Sequence, residues 1–76
     1  MATVNVPVGP TYAKIADEGF LLACNGSDNV QEWVFSVGAP LESLSGAPIE
    51  KGKGMLGGHG TGDLYARGAR FAVVNS

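Results

Sequence analysis

Glycine and proline interrupt this chain along its whole length: of 76 residues, 12 are glycine and 4 are proline. Spread in this way, they leave no room for an amphipathic helix of three turns. Glycine loses too much backbone freedom in a helix interior, and proline lacks the N–H that the helix needs. The segments between the breakers are short and rich in Val, Phe, Leu and Tyr, which suit the pleated, half-buried surface of a strand. The chain is therefore expected to be all-β, a small β-sandwich or barrel, jelly-roll-like, with seven to eight short antiparallel strands.

Alternation places most of these strands. In Ala2 to Val8, the residues Ala2, Val4, Val6 and Val8 share one face, and Thr3 and Asn5 point the other way. Pro7 removes one ladder donor, so this segment belongs at an edge or ends there. Tyr12 to Ala16 reads as a second strand, with Asp17, Glu18 and Gly19 as a turn. Phe20 to Asn25 is apolar on both faces, as a central strand is. Asn25, Gly26, Ser27, Asp28 and Asn29 form the strongest loop signal. Gln31 to Val37 then sets Trp33, Phe35 and Val37 on one face, expected to be the core face, and Glu32 and Ser36 on the other. The stretch from Gly38 to Pro48 reads as irregular, and Lys51 to Gly54 as a turn. Met55–Leu56, Leu64–Ala66 and Phe71–Asn75 are the remaining strands, with a turn near Gly68. No repeat or linker divides the sequence, so residues 1–76 are expected to form a single β domain. Within it, residues 1–9, set off by Gly9-Pro10, are either an N-terminal arm or an ordinary first strand.

A core of this size rarely supplies more than about 3–5 kcal/mol. Small domains usually add disulfides, a metal or self-association. Cys24 is the only cysteine and His59 the only histidine, so the first route is closed and the second lacks a spaced ligand set. Association with further copies or with a larger partner remains. The net charge is −2, and no basic cluster is present, which argues against nucleic acid as a partner. No signal-peptide pattern and no long apolar run is seen, so a membrane partner is not expected, and the lone thiol fits synthesis in a reducing cytoplasm.

Candidate chemistry is sparse. Gly57-Gly58-His59-Gly60-Thr61-Gly62 lacks the Lys-Ser/Thr and the following helix of a phosphate loop, and reads as a flexible turn holding His59. Cys24 reads as a small buried hydrophobe rather than a nucleophile. Asp17 and Glu18 are adjacent, point apart in an extended segment and suit a solvated turn. No catalytic, cofactor-binding or metal-binding residue is expected, and the chain is not expected to be an enzyme. Partner binding is the remaining role, with Val4, Val6 and Val8 of the first segment and Trp33 as candidates. Trp33 suits either a core or an interface hot spot.

Four runs occur in a characteristic order. Leu21-Leu22-Ala23-Cys24-Asn25-Gly26-Ser27-Asp28-Asn29 leads to Gly46-Ala47-Pro48-Ile49-Glu50-Lys51-Gly52. Then come Gly62-Asp63-Leu64-Tyr65-Ala66-Arg67 and the closing Phe71-Ala72-Val73-Val74. From Ala13 onward the chain in this respect resembles a group of small virion proteins of tailed bacteriophages. It departs from their pattern at Gly26, which follows Asn25 without a spacer, and in its richer Gly57–Gly62 loop. The resemblance implies a capsid decoration or cement protein, often a homotrimer, that binds the major capsid protein or another virion protein on the capsid surface and stabilises the head. The alternative is a fibre, tail or head-fibre module that binds another virion protein or a host-surface glycan. Trp33 with Glu32 and Gln31 is the one glycan-like cluster, and alternation divides it between two faces.

Overall fold

The computed structural model describes residues 3–56 and 62–74. Their regular structure is entirely strand: β1 (Thr3–Pro7), β2 (Ala13–Ala16), β3 (Leu22–Asn25), β4 (Gln31–Ser36), β5 (Ala47–Ile49), β6 (Gly54–Leu56), β7 (Asp63–Arg67) and β8 (Arg70–Val74). They form two four-stranded antiparallel sheets with orders β1-β8-β3-β6 and β2-β7-β4-β5. The first strand pairs with the last, the second with the second-last, and so on inward to the β4–β5 pair. Successive pairs alternate between the two sheets, as in one long hairpin rolled around a core.

The sheets are a sandwich because each turns a regular set of apolar residues inward. On β7, Leu64 and Ala66 are fully buried while Asp63, Tyr65 and Arg67 point outward. On β8, Phe71 and Val73 are buried, and β3 adds Ala23. Ile15, Ala16, Phe20 and Ile49 complete the core with Val8. Ile15 and Ala16 are both buried although adjacent, because the register with β7 shifts between Lys14 and Ala16, a bulge that turns two consecutive side chains inward. Phe20 stacks on Phe35 with ring centres 6.0 Å apart, and Trp33 meets Phe35 edge-on at 5.5 Å, both favoured aromatic geometries.

Several expectations change. In the segment 1–9, Thr3–Pro7 form an ordinary strand of the domain's own sheet: β1 pairs along its length with β8, from Thr3–Val74 to Pro7–Arg70. It is an edge strand, which is where Pro7 can be tolerated. β5 lies at the end of the stretch expected to be irregular. Pro48 disguised it, and it is possible because β5 also lies at an edge. Val37 is not on the core face; β4 ends at Ser36 and Val37 is 83% exposed. Cys24 is half-buried on the outer face of its sheet rather than in the core, since its neighbours Ala23 and Asn25 take the inward positions. His59 and most of the Gly57–Gly62 run lie outside the described residues. Among those residues, no helix is long and apolar enough to cross a membrane, which has no bearing on β-barrel proteins.

Candidate interaction surface

The connection from β4 to β5, residues 37–46, is held by a set of polar contacts centred on Arg67. Alternation along β7 turns Arg67 outward, beside its register partner Glu32 on β4. The guanidinium grips that carboxylate with two donors, Nε to Oε1 at 3.2 Å and Nη2 to Oε2 at 3.1 Å, the fork geometry of a strong arginine–carboxylate pair. Its remaining donors reach the loop: Nη1 donates to the Glu42 carbonyl at 2.8 Å and Nη2 to the Leu44 carbonyl at 3.3 Å. The guanidinium also lies 4.2 Å from the centre of the Tyr12 ring, a cation–π contact.

Tyr12 and Glu32 complete the clamp. The Tyr12 amide donates to the Glu42 carboxylate at 3.1 Å, and its hydroxyl donates to the Leu44 carbonyl at 2.9 Å. Glu32 Oε2 accepts the Gly46 amide at 3.1 Å. The hydrogen bond from Arg67, and then that from Gly46, hold the Glu32 carboxyl below its ordinary range, and Glu32 in turn raises Arg67. Gly46 is required here: a Cβ at that position would sit 2.6 Å from the Trp33 carbonyl oxygen and 2.7 Å from the Tyr12 hydroxyl. The loop therefore lies down on the outer face of the β2-β7-β4-β5 sheet. A turn closed by the Leu44 amide on the Leu41 carbonyl at 3.0 Å shapes its crest.

Apolar side chains stand on that crest. Leu41 is 77% and Leu44 44% exposed, and Val37 stands at the loop's start. An isolated exposed leucine is ordinary. Leu41 and Leu44 stand on the part of the loop, residues 41–46, whose backbone is fixed by five polar contacts, and order lowers the entropy cost of docking.

A second polar cluster locks the two sheets together at one end. Gln31, on β4, is 2% exposed and Asn25, on β3, 3%. Gln31 Nε2 donates to Asn25 Oδ1 and, at 2.7 Å, to the Arg70 carbonyl, while its Oε1 accepts the amides of Ala69 and Arg70. Asn25 Nδ2 donates to the carbonyls of Asn29 at 2.7 Å and Ile49 at 2.8 Å, and its Oδ1 also takes the Ser27 amide and hydroxyl. Gly68 (φ +144°) makes room for Gln31, whose side chain fills the space a Cβ would need. Among the described residues, no buried side-chain polar atom lacks a partner, as a stable polar core demands.

The residues expected to bind partners are scattered. Val8 is in the core, Val6 packs partly against it, and Val4 is 47% exposed at the sheet edge. Trp33 faces inward beside Ala66 and packs on the core while remaining partly open. The Trp33–Glu32–Gln31 group is divided: Gln31 is buried, and Glu32 points outward into the Arg67 clamp. Asp17 and Glu18 are exposed, with Asp17 2.8 Å from Lys14 Nζ. Among the described residues, no group of three or more His, Cys, Asp and Glu side chains is placed to hold a metal ion. Sequence reasoning missed the Arg67 clamp and the 37–46 loop. The available signal was Leu41 and Leu44 in a stretch bounded by Pro40 and Gly46, with Arg67 and Tyr12 too far away in sequence to be linked to it. Comparison of the chain with protein-family models, with curated proteins and with solved structures finds no match.

Proposed function

We propose that this chain is a structural subunit of a tailed-bacteriophage particle, a decoration or cement protein that binds the major capsid protein, or another virion protein, on the outside of the head. The observation that carries the reading is the 37–46 loop, where the Arg67–Glu32–Tyr12–Glu42 clamp fixes a short backbone segment and leaves Val37, Leu41 and Leu44 in water. A small domain that orders an apolar crest is suited to docking on a larger surface. Two further features support it. The motif order from Leu21 to Val74 resembles that of phage virion proteins. The 1-8-3-6 and 2-7-4-5 strand orders fit a jelly roll, an architecture used in viral capsids, although fold alone does not carry function. Self-association belongs to the same reading. The glycan-binding alternative gains nothing from the Trp33 group, whose members are divided between core and clamp.

The test is reconstitution. The protein is mixed with heads lacking it and imaged by cryo-electron microscopy. Density for copies over the shell is expected, and Leu41→Asp should abolish it while circular dichroism stays unchanged. Binding confined to the tail or fibres, or unaffected by Leu41→Asp, rejects the reading.

A further inference from the structure

The two outer faces of the sandwich differ in kind. That of the β2-β7-β4-β5 sheet carries Lys14, Glu32, Asp63 and Arg67 and is partly covered by the chain's own loop. That of the β1-β8-β3-β6 sheet presents Asn5, Leu22, Cys24, Gly54, Ala72 and Val74, with no charged side chain among them. Arg70 stands at one end of this face, its Nε donating to the Gly26 carbonyl at 2.7 Å. The register also sorts the face by size. Leu22 is level with Val74 in one row across β3 and β8, and Cys24 is level with Ala72 and Gly54 in the next, which ends on Asn5 at the β1 edge. One row is raised and the other recessed.

We infer that this face packs against the same face of a second copy of the chain. A two-fold rotation that sets the strands of the two copies antiparallel lays the Leu22–Val74 row of each on the Cys24–Ala72–Gly54 row of the other, so that large meets small in both directions. The absence of charge in the middle means that no like charges are brought together, and the same operation places the two copies of Arg70 at opposite extremes of the pair. A charged partner finds no complement here, whereas a copy of the face does. From strand spacing and rise, the face covers roughly 300 Å² of sheet. That is below the approximately 800 Å² per partner of a standard interface, so the pair is weak and concentration-dependent. The contact involves a different surface from the loop crest assigned to the particle.

Sedimentation and native mass spectrometry of the full chain, from micromolar to millimolar, test this. The expected result is a reversible monomer–dimer equilibrium that Ala72→Lys weakens at least about tenfold, while Val34→Lys on the opposite sheet leaves it unchanged. Cys24 gives a second readout: in wild type its alkylation by a maleimide slows as concentration rises, and in Ala72→Lys it does not. A wild-type monomer throughout, a trimer, or a dimer indifferent to Ala72→Lys overturns the inference. A wild type that stays monomeric yet still decorates heads removes the paired face and leaves the decoration reading intact. One that pairs as expected but does not bind heads does the reverse.

Discussion

Asn25 reaches from the end of β3 to the carbonyls of Asn29 and Ile49, and Gln31 reaches from β4 to the β7–β8 turn. Neither contributes apolar burial, yet between them they fix how the two sheets meet. Replacing Gln31 with Ala takes from the Ala69 and Arg70 amides their side-chain acceptor and from the Arg70 carbonyl one of its two donors, the other being the Gly26 amide. The expected loss is about 2–4 kcal/mol, comparable to the whole stability of a domain this small. A urea titration followed by Trp33 fluorescence measures it, and an unchanged midpoint would show that water replaces the side chain freely. Trp33 itself makes the edge contact to Phe35 but stays partly open, so Trp33→Ala is expected to cost about 2–3 kcal/mol, less than a fully buried tryptophan. Circular dichroism must follow that variant, because the sole tryptophan is gone.

Among the elements, the β4–β5 loop has a predictable acid response. Glu32 titrates below its ordinary value in the folded chain because Arg67 and the Gly46 amide favour its charged form. A carboxyl with a depressed folded pKa stabilises the fold above its unfolded pKa, and that contribution fades as pH falls through the folded one. The clamp is therefore expected to be intact at neutral pH and to loosen below the ordinary glutamate value of 4.5. The Gly46 amide resonance, followed by NMR into the acid range, should shift with Glu32, and Glu32→Gln should remove the movement. The strands themselves were largely readable. Alternation and turn residues located β1, β3, β4, β7 and β8 to within two residues, because one buried face writes a period of two into the sequence. β5 was unreadable, since three residues containing a proline carry no period. The clamp was unreadable for a different reason: Tyr12, Glu32, Glu42 and Arg67 become neighbours only through the strand order, and no local pattern encodes that. Gln31 and Asn25 looked like loop-flanking polar residues until the register turned both inward.

On the scale of the whole molecule, the rolled winding makes β8 the strand on which the β1-β8-β3-β6 sheet depends. It lies between β1 and β3, and β1 has no other strand partner in that sheet. Deleting residues 1–9 strips one edge of β8 and takes Val8 out of the core. The truncated chain is expected to lose its cooperative melting transition, as read by circular dichroism, whereas a truncated chain that melts normally would return residues 1–9 to the status of a separable arm. The same winding governs the order of events during synthesis. A ribosome releases β1 first and β8 last of these strands, so β1 and β3 must wait unpaired with each other until the strand that lies between them has emerged. The β4–β5 and β3–β6 pairs can form on the way out, but a nascent chain stopped before Arg70 has no strand to join β1 to β3. Such a product would be a target for proteolysis, and only chains translated through Val74 would complete both sheets.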